Sequence, residues 1–185
     1  MDVTERSPKV KNLEFFKEFL GLAGAKYETL AEKMGITTTG IHYWFRCDDV
    51  RLSYIFSAAE ALGYNAYVSI SDNPSRVSEL EKAGRDVSLQ PVYKRLYFLT
   101  RVLKEEKVTK QELAEKLGLT RDAVSYWYSK DDITIKNLIA CAKVLSRNIN
   151  FSFVKKEENV KYAREDILLR SSVYTSTTRV VGKDD

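Results

Sequence analysis

A fifteen-residue stretch occurs twice in the chain. Leu30–Trp44 reads LAEKMGITTTGIHYW and Leu113–Trp127 reads LAEKLGLTRDAVSYW. Both fit L-A-E-K-x-G-x-T-x5-Y-W, and an offset of 83 residues superposes them without a gap. The match extends outward on both sides. Leu13, Phe15 and Leu20 correspond to Leu96, Phe98 and Leu103; Asp48-Asp49 to Asp131-Asp132; Ala59, Leu62, Asn65 and Ser69 to Ala142, Leu145, Asn148 and Ser152. The repeat therefore covers residues 11–70 and 94–153. Two copies, each with enough elements to bury its own core, predict a duplicated domain and not a solenoid.

Each copy reads as mainly α. Leu13, Phe16 and Leu20 lie at helical spacing on a first helix ending near Gly24. A second helix is predicted from about Tyr27 to Met34, with Leu30, Ala31 and Met34 inward. Gly35 supplies the positive φ for the turn, and Thr37 caps a third helix whose Ile41, Trp44 and Phe45 are apolar at i, i+3 and i+4. A fourth helix carries Leu52, Ile55, Phe56, Ala59 and Leu62, matched by Ile135, Leu138, Ile139, Ala142 and Leu145. A helix, a Gly turn and a second helix opening on Thr is the layout of a helix-turn-helix, whose second helix reads the DNA major groove.

Each copy then closes on a period-2 segment. Ala66, Val68 and Ile70 alternate with Tyr67 and Ser69; Ile149, Phe151 and Phe153 alternate with Asn150 and Ser152. This predicts two short half-buried strands, pairing with each other into a small antiparallel sheet or with a second chain. The expected organisation is a first domain over 1–70, a linker over 71–93, a second domain over 94–154 and a tail over 155–185. Arg76–Lys82 and Val160–Leu169 read as short helices, and Ser171–Thr178, rich in Ser and Thr, as flexible.

The pattern LAEKLGLTRDAVSYW, followed by IKNLIACAKVL, resembles the Cro and phage-repressor (XRE) family of helix-turn-helix domains. The resemblance covers both copies, about two-thirds of the chain. It implies a compact domain of four or five helices, dimeric or tandem, that binds operator DNA and regulates transcription. The family pattern has an acidic residue and then Gly shortly after the Trp. Here Trp44 is followed by Phe45-Arg46-Cys47 and Trp127 by Tyr128-Ser129-Lys130. Thr109-Lys110-Gln111-Glu112 is a capping box, and the first copy, with Lys26 in place of Thr109, lacks it.

With Ile41/Trp44 and Val124/Trp127 inward, the outer face of the third helix carries Thr38, Thr39, His42 and Tyr43 in the first copy. In the second it carries Arg121, Asp122, Ser125 and Tyr126. These eight are the candidate base-contacting residues. Arg121 can donate two bonds to guanine O6 and N7, and Ser125 can bond several bases. Tyr126 offers a ring to a thymine methyl, and Asp122 either accepts from cytosine N4 or orients Arg121. Thr38, Thr39 and His42 are weaker readers. Phosphate contacts are expected from Lys110 and Gln111 at a helix N-terminus, and from Lys130 and Arg46 at the end of the third helix. Both tryptophans are read as core residues, and His42 as solvent-facing or phosphate-contacting.

Charge separates the copies. Residues 11–70 hold six Lys/Arg against seven Asp/Glu, a net of −1, whereas residues 94–153 hold twelve against seven, a net of +5. A polyanion should prefer the second copy. Cys47 and Cys141 are the only cysteines; with one His they cannot form a four-ligand zinc site, and both read as free thiols, Cys141 in a core. No cofactor and no catalytic constellation is expected. There is no run of 18 apolar residues, and the first residues, MDVTERSPKVKNLEFF, have no clean apolar stretch, so neither a membrane span nor a signal peptide is expected. The expected setting is cytoplasmic, in a bacterial or phage-encoded protein. Two functions fit: a DNA-binding regulator built as a pseudo-dimer, or a non-catalytic accessory module, antitoxin-like or phage-encoded. In either, a homodimer or protein partner could engage the closing strands.

Overall fold

The computed structural model describes residues 11–71, 94–156 and 173–178. The first half holds α1 (Glu14–Leu22), α2 (Tyr27–Met34), α3 (Thr38–Cys47), α4 (Leu52–Ala61) and β1 (Tyr64–Ser71). The second holds α5 (Tyr97–Glu105), α6 (Lys110–Leu117), α7 (Arg121–Lys130), α8 (Ile135–Val144) and β2 (Asn148–Lys155), and β3 (Val173–Thr178) follows. The four helices of the second half start and end 83 residues after those of the first. The residues of the linker and tail helices predicted at Arg76–Lys82 and Val160–Leu169 lie outside the described ones.

Local chemistry explains the helix boundaries. Gly35 and Gly118, at φ 66° in both cases, end α2 and α6 in the left-handed conformation that glycine adopts without steric cost. The Thr37 hydroxyl accepts from Gly40 N and the Thr120 hydroxyl from Ala123 N, capping α3 and α7. The Thr109 capping box is formed: its hydroxyl accepts from Glu112 N at 3.1 Å and its N–H donates to Glu112 Oε2 at 2.7 Å. At the start of α2, Lys26 gives no such side-chain bond.

The aspartate pairs tie the helices together. Asp48, left-handed at φ 52°, accepts from Asn12 N and Leu13 N at 2.8 and 3.0 Å, and so holds the turn that leads into α1. Asp131 accepts from Arg95 N and Leu96 N at 2.7 and 3.0 Å and does the same for α5. The second aspartate of each pair reaches into the other half. Asp132 accepts from Ser53 N at 3.0 Å and Ser53 Oγ at 2.7 Å, at the start of α4. Asp49 accepts from Lys136 N at 2.9 Å, at the start of α8. Arg51, the N-cap of α4, makes no side-chain cap bond of its own, so Asp132 supplies the missing acceptor.

Backbone bonds repeat this reciprocity. Leu52 N donates to Ile133 O and Ile135 N to Val50 O, both at 2.8 Å, around a bridge that sets Arg51 opposite Thr134. In the sheet, of order β1-β2-β3, β1 runs antiparallel to β2 with Val68 opposite Phe151, Ala66 opposite Phe153 and Ile70 opposite Ile149. Arg51/Thr134 and Val68/Phe151 are residues that the 83-residue offset makes equivalent. Equivalent residues meeting face to face are the mark of a two-fold contact, here within one chain.

Three expectations need correction. Each half does not bury a separate core, because a single cluster of buried residues runs through both. The Phe15 ring stacks on Phe151 with centroids 3.9 Å apart, and Phe19 on Phe153 at 3.8 Å, so α1 of the first half packs on the strand of the second. The first helix therefore buries Phe15 and Phe19 besides the predicted Phe16 and Leu20. Second, β2 is not half-buried: Asn150 and Ser152 are as inaccessible as Phe151 and Phe153. It is the central strand, with a neighbour on each edge. Third, the Ser/Thr-rich segment read as flexible contains β3, which pairs with β2 from Val154–Val173 to Ile149–Thr178. Its backbone bonds to β2 hold it, and these do not depend on side-chain hydrophobicity.

Candidate nucleic-acid interface

The inward stripe of α7, Val124 and Trp127, is buried, as is that of α3, Ile41 and Trp44. This leaves the opposite face of each helix toward solvent. On α7, Arg121, Asp122 and Tyr126 are exposed and Ser125 is half-buried; on α3, Thr39, His42 and Tyr43 are exposed and Thr38 is half-buried. All eight predicted base-contacting residues thus keep some solvent access. Lys110, Gln111, Lys130 and Arg46 are exposed as well.

The two faces differ in what their neighbours do. In the first half Tyr27 lies flat against Phe45, centroids 5.2 Å apart, and meets His42 edge-on at 5.1 Å. Burial and the charge of Glu14 raise the Tyr27 hydroxyl above its ordinary pKa. At the corresponding place in the second half, Lys110 Nζ sits 3.9 Å from the Tyr128 ring centre, a cation over an aromatic face. Burial pushes the Tyr128 hydroxyl up to about 12, with Cys141 adding to the rise and the Thr100 hydroxyl opposing it. One architectural contact, α2 on α3 or α6 on α7, is thus aromatic on aromatic in one half and cationic in the other. The cationic version puts an ammonium at the start of a helix, where backbone N–H groups and the dipole already favour an anion.

Both faces display a tyrosine with a cation from the last helical turn. Arg46 Cζ lies 5.3 Å from the Tyr43 ring and Lys130 Nζ 5.7 Å from the Tyr126 ring. Tyr43 and Tyr126 are each about half exposed, at 54% and 52%. The Tyr43 hydroxyl is raised in pKa by its hydrogen bond to Cys47, with further contributions from the Cys47 charge and burial and an opposing one from Arg46. The Gln111 amide donates to Glu115 at 3.1 Å on the outer side of α6.

One residue that the helix pattern alone does not single out belongs to this surface. Arg51, from the loop before α4, lines a cavity of about 90 Å³ together with Tyr126, Lys130, Asp132 and Thr134. It comes there through the bridge to Thr134. A stripe of apolar residues reports burial along one helix, whereas this juxtaposition depends on how the halves pair, which no local pattern encodes. No helix among the described residues is long and apolar enough to cross a membrane.

Residues 98–159 match the family model of the bacteriophage CI repressor helix-turn-helix domain. No curated protein and no solved structure matches the chain. The matched span runs from α5 through β2 and includes the whole α6–turn–α7 element with its exposed Arg121 face. The second half of the molecule is therefore similar to a helix-turn-helix of the phage CI repressor type.

Proposed function

We propose that the protein is a sequence-specific, double-stranded DNA-binding regulator of transcription, working in the cytoplasm and without catalytic activity. Its two halves act as tandem helix-turn-helix units forming a pseudo-dimer, and the second half is the stronger reader. The observation that carries this reading is the outer face of α7. Arg121, Asp122 and Tyr126 are exposed there, flanked by Lys110 and Lys130, within the span that matches the phage repressor domain.

The roles follow from chemistry. Arg121, in the first turn of α7, donates to guanine O6 and N7, a contact worth roughly 1–3 kcal/mol of discrimination. Asp122, Ser125 and Tyr126 read neighbouring positions. Lys110, Gln111 and Lys130 hold phosphates on either side, and Arg46 does so for the first half. Thr38, Thr39, His42 and Tyr43 form the second, weaker reading face. Because the faces differ, the site need not be a palindrome, and the two helices enter successive major grooves roughly 34 Å apart.

Binding to duplex DNA across a salt series tests the reading. The logarithm of the affinity falls linearly with the logarithm of salt, with a slope of about −0.9 per phosphate contacted. Arg121→Ala relaxes specificity at one base position, whereas Lys130→Ala weakens binding to all sequences alike. No binding at low salt overturns the proposal. It would favour a second reading, an accessory module of antitoxin-like or phage-encoded kind. That reading draws on the first half, whose net charge is −1 and whose His42 and Tyr27 rings are packed together.

A further inference from the structure

The cavity of about 90 Å³ between the halves is lined by one cation from each: Arg51 from the loop before α4 and Lys130 from the end of α7. The Tyr126 and Thr134 side chains line it too, and each carries a hydroxyl. Its acidic wall, Asp132, is already engaged, accepting from Ser53 N, Ser53 Oγ and Ile133 N. At about 30 Å³ per water the volume is that of three waters, room for the two free oxygens of a phosphodiester. An Arg fork beside an ammonium matches such a group, since the guanidinium donates two parallel bonds.

The two-fold relation makes this arrangement one-sided. The residues equivalent to Arg51, Tyr126, Lys130 and Thr134 are Thr134, Tyr43, Cys47 and Arg51. The tyrosine recurs, Thr134 and Arg51 exchange places, and Lys130 gives way to Cys47, so the pair of cations occurs on one side only. We propose that this cavity clamps one backbone phosphate of bound duplex DNA, through Arg51 and Lys130, on one side of the pseudo-two-fold axis only. The phosphate related to it on the other strand meets no such pair of cations. Arg51 is thus a binding residue that the first half contributes to the reading surface of the second, which fixes the orientation of the protein on its site. This rests on the DNA-binding reading above.

Phosphate-ethylation interference with the full chain, on a duplex selected by the wild type from a random pool, is the test. One phosphate on one strand near the centre of the site interferes, and its symmetry mate does not. Arg51→Thr, which places there the residue of the equivalent position, abolishes that interference and lowers the salt slope by about 0.9. Arg51→Lys, which keeps the charge, retains most of the slope. Urea midpoints check that each variant folds; should Arg51→Thr unfold, Arg51→Gln takes its place. Equal interference on both strands, or an unaltered slope on loss of the Arg51 charge, overturns the clamp while leaving DNA binding intact. Replacing chloride by inorganic phosphate at equal ionic strength leaves wild-type affinity unchanged. Competition by phosphate that disappears in Arg51→Thr would make free phosphate the occupant and overturn the clamp. Absence of salt-dependent binding in the wild type instead removes the reading on which it rests.

Discussion

At the scale of single residues, the second aspartate of each pair does unequal work. Asp132 is buried and accepts two bonds from Ser53, while Asp49 accepts one bond at an exposed site where Thr134 already caps α8. Asp132→Ala should cost about 2 kcal/mol, since it strips a charged acceptor from the half-buried Ser53 donors. Asp49→Ala should cost about 0.5–1 kcal/mol, a typical loss for one helix cap. Urea midpoints of the two variants measure the difference. The cysteines diverge as sharply. Burial pushes the Cys141 thiol up to about 12, whereas Cys47 is exposed. Iodoacetamide at pH 8 should modify Cys47 alone in the folded protein and both after denaturation, as mass spectrometry of the intact chain will report. The free thiols were legible from cysteine number and spacing. The roles of Asp48, Asp49, Asp131 and Asp132 were visible only as a match between copies, because their partners lie 35 or more positions away.

At the scale of elements, the helices were the legible part. Their apolar stripes, the two αL glycines and the capping threonines are local signals, and α2 occupies the span its pattern predicts. Strand β3 was not legible, since a Ser/Thr-rich hexamer lacks the alternation that marks β1 and β2. It is recruited by register against β2. The capping box supplies a pH test at this scale. Hydrogen bonds from Thr109 N–H and its hydroxyl hold the Glu112 carboxyl below its ordinary 4.5. Its stabilising effect is fully present above that value and is lost as pH falls through the depressed one. Wild type should therefore exceed Glu112→Gln in stability near neutrality, and the gap should close under acid, as urea unfolding across pH 7 to 3 will show. Thr109→Ala should cost about 1 kcal/mol.

At the scale of the whole molecule, the stacking of Phe15 on Phe151 and of Phe19 on Phe153 joins the halves in one core. They should unfold together. Trp44 and Trp127 report on one half each, so Trp44→Phe and Trp127→Phe variants isolate each signal. Their urea transitions should coincide. Phe151→Ala, which opens a cavity in the central strand, should shift both signals by about 3–5 kcal/mol. Separate midpoints would show two independent domains. This coupling was not legible, since composition and periodicity say which residues are buried but not which half buries them.

The β1–β2 ladder has a consequence for how the molecule responds to dilution. Both of its strands belong to one polypeptide, so the local concentration of each for the other is set by chain connectivity and not by how much protein is present. A repressor assembled from two chains falls apart as it is diluted, and its occupancy of a site then rises with the square of protein concentration. Here β1 and β2 pair within one chain, and on the proposed function occupancy should rise with the first power of protein concentration. On the proposed function, titrations with duplex held well below the Kd should therefore give a Hill coefficient of one.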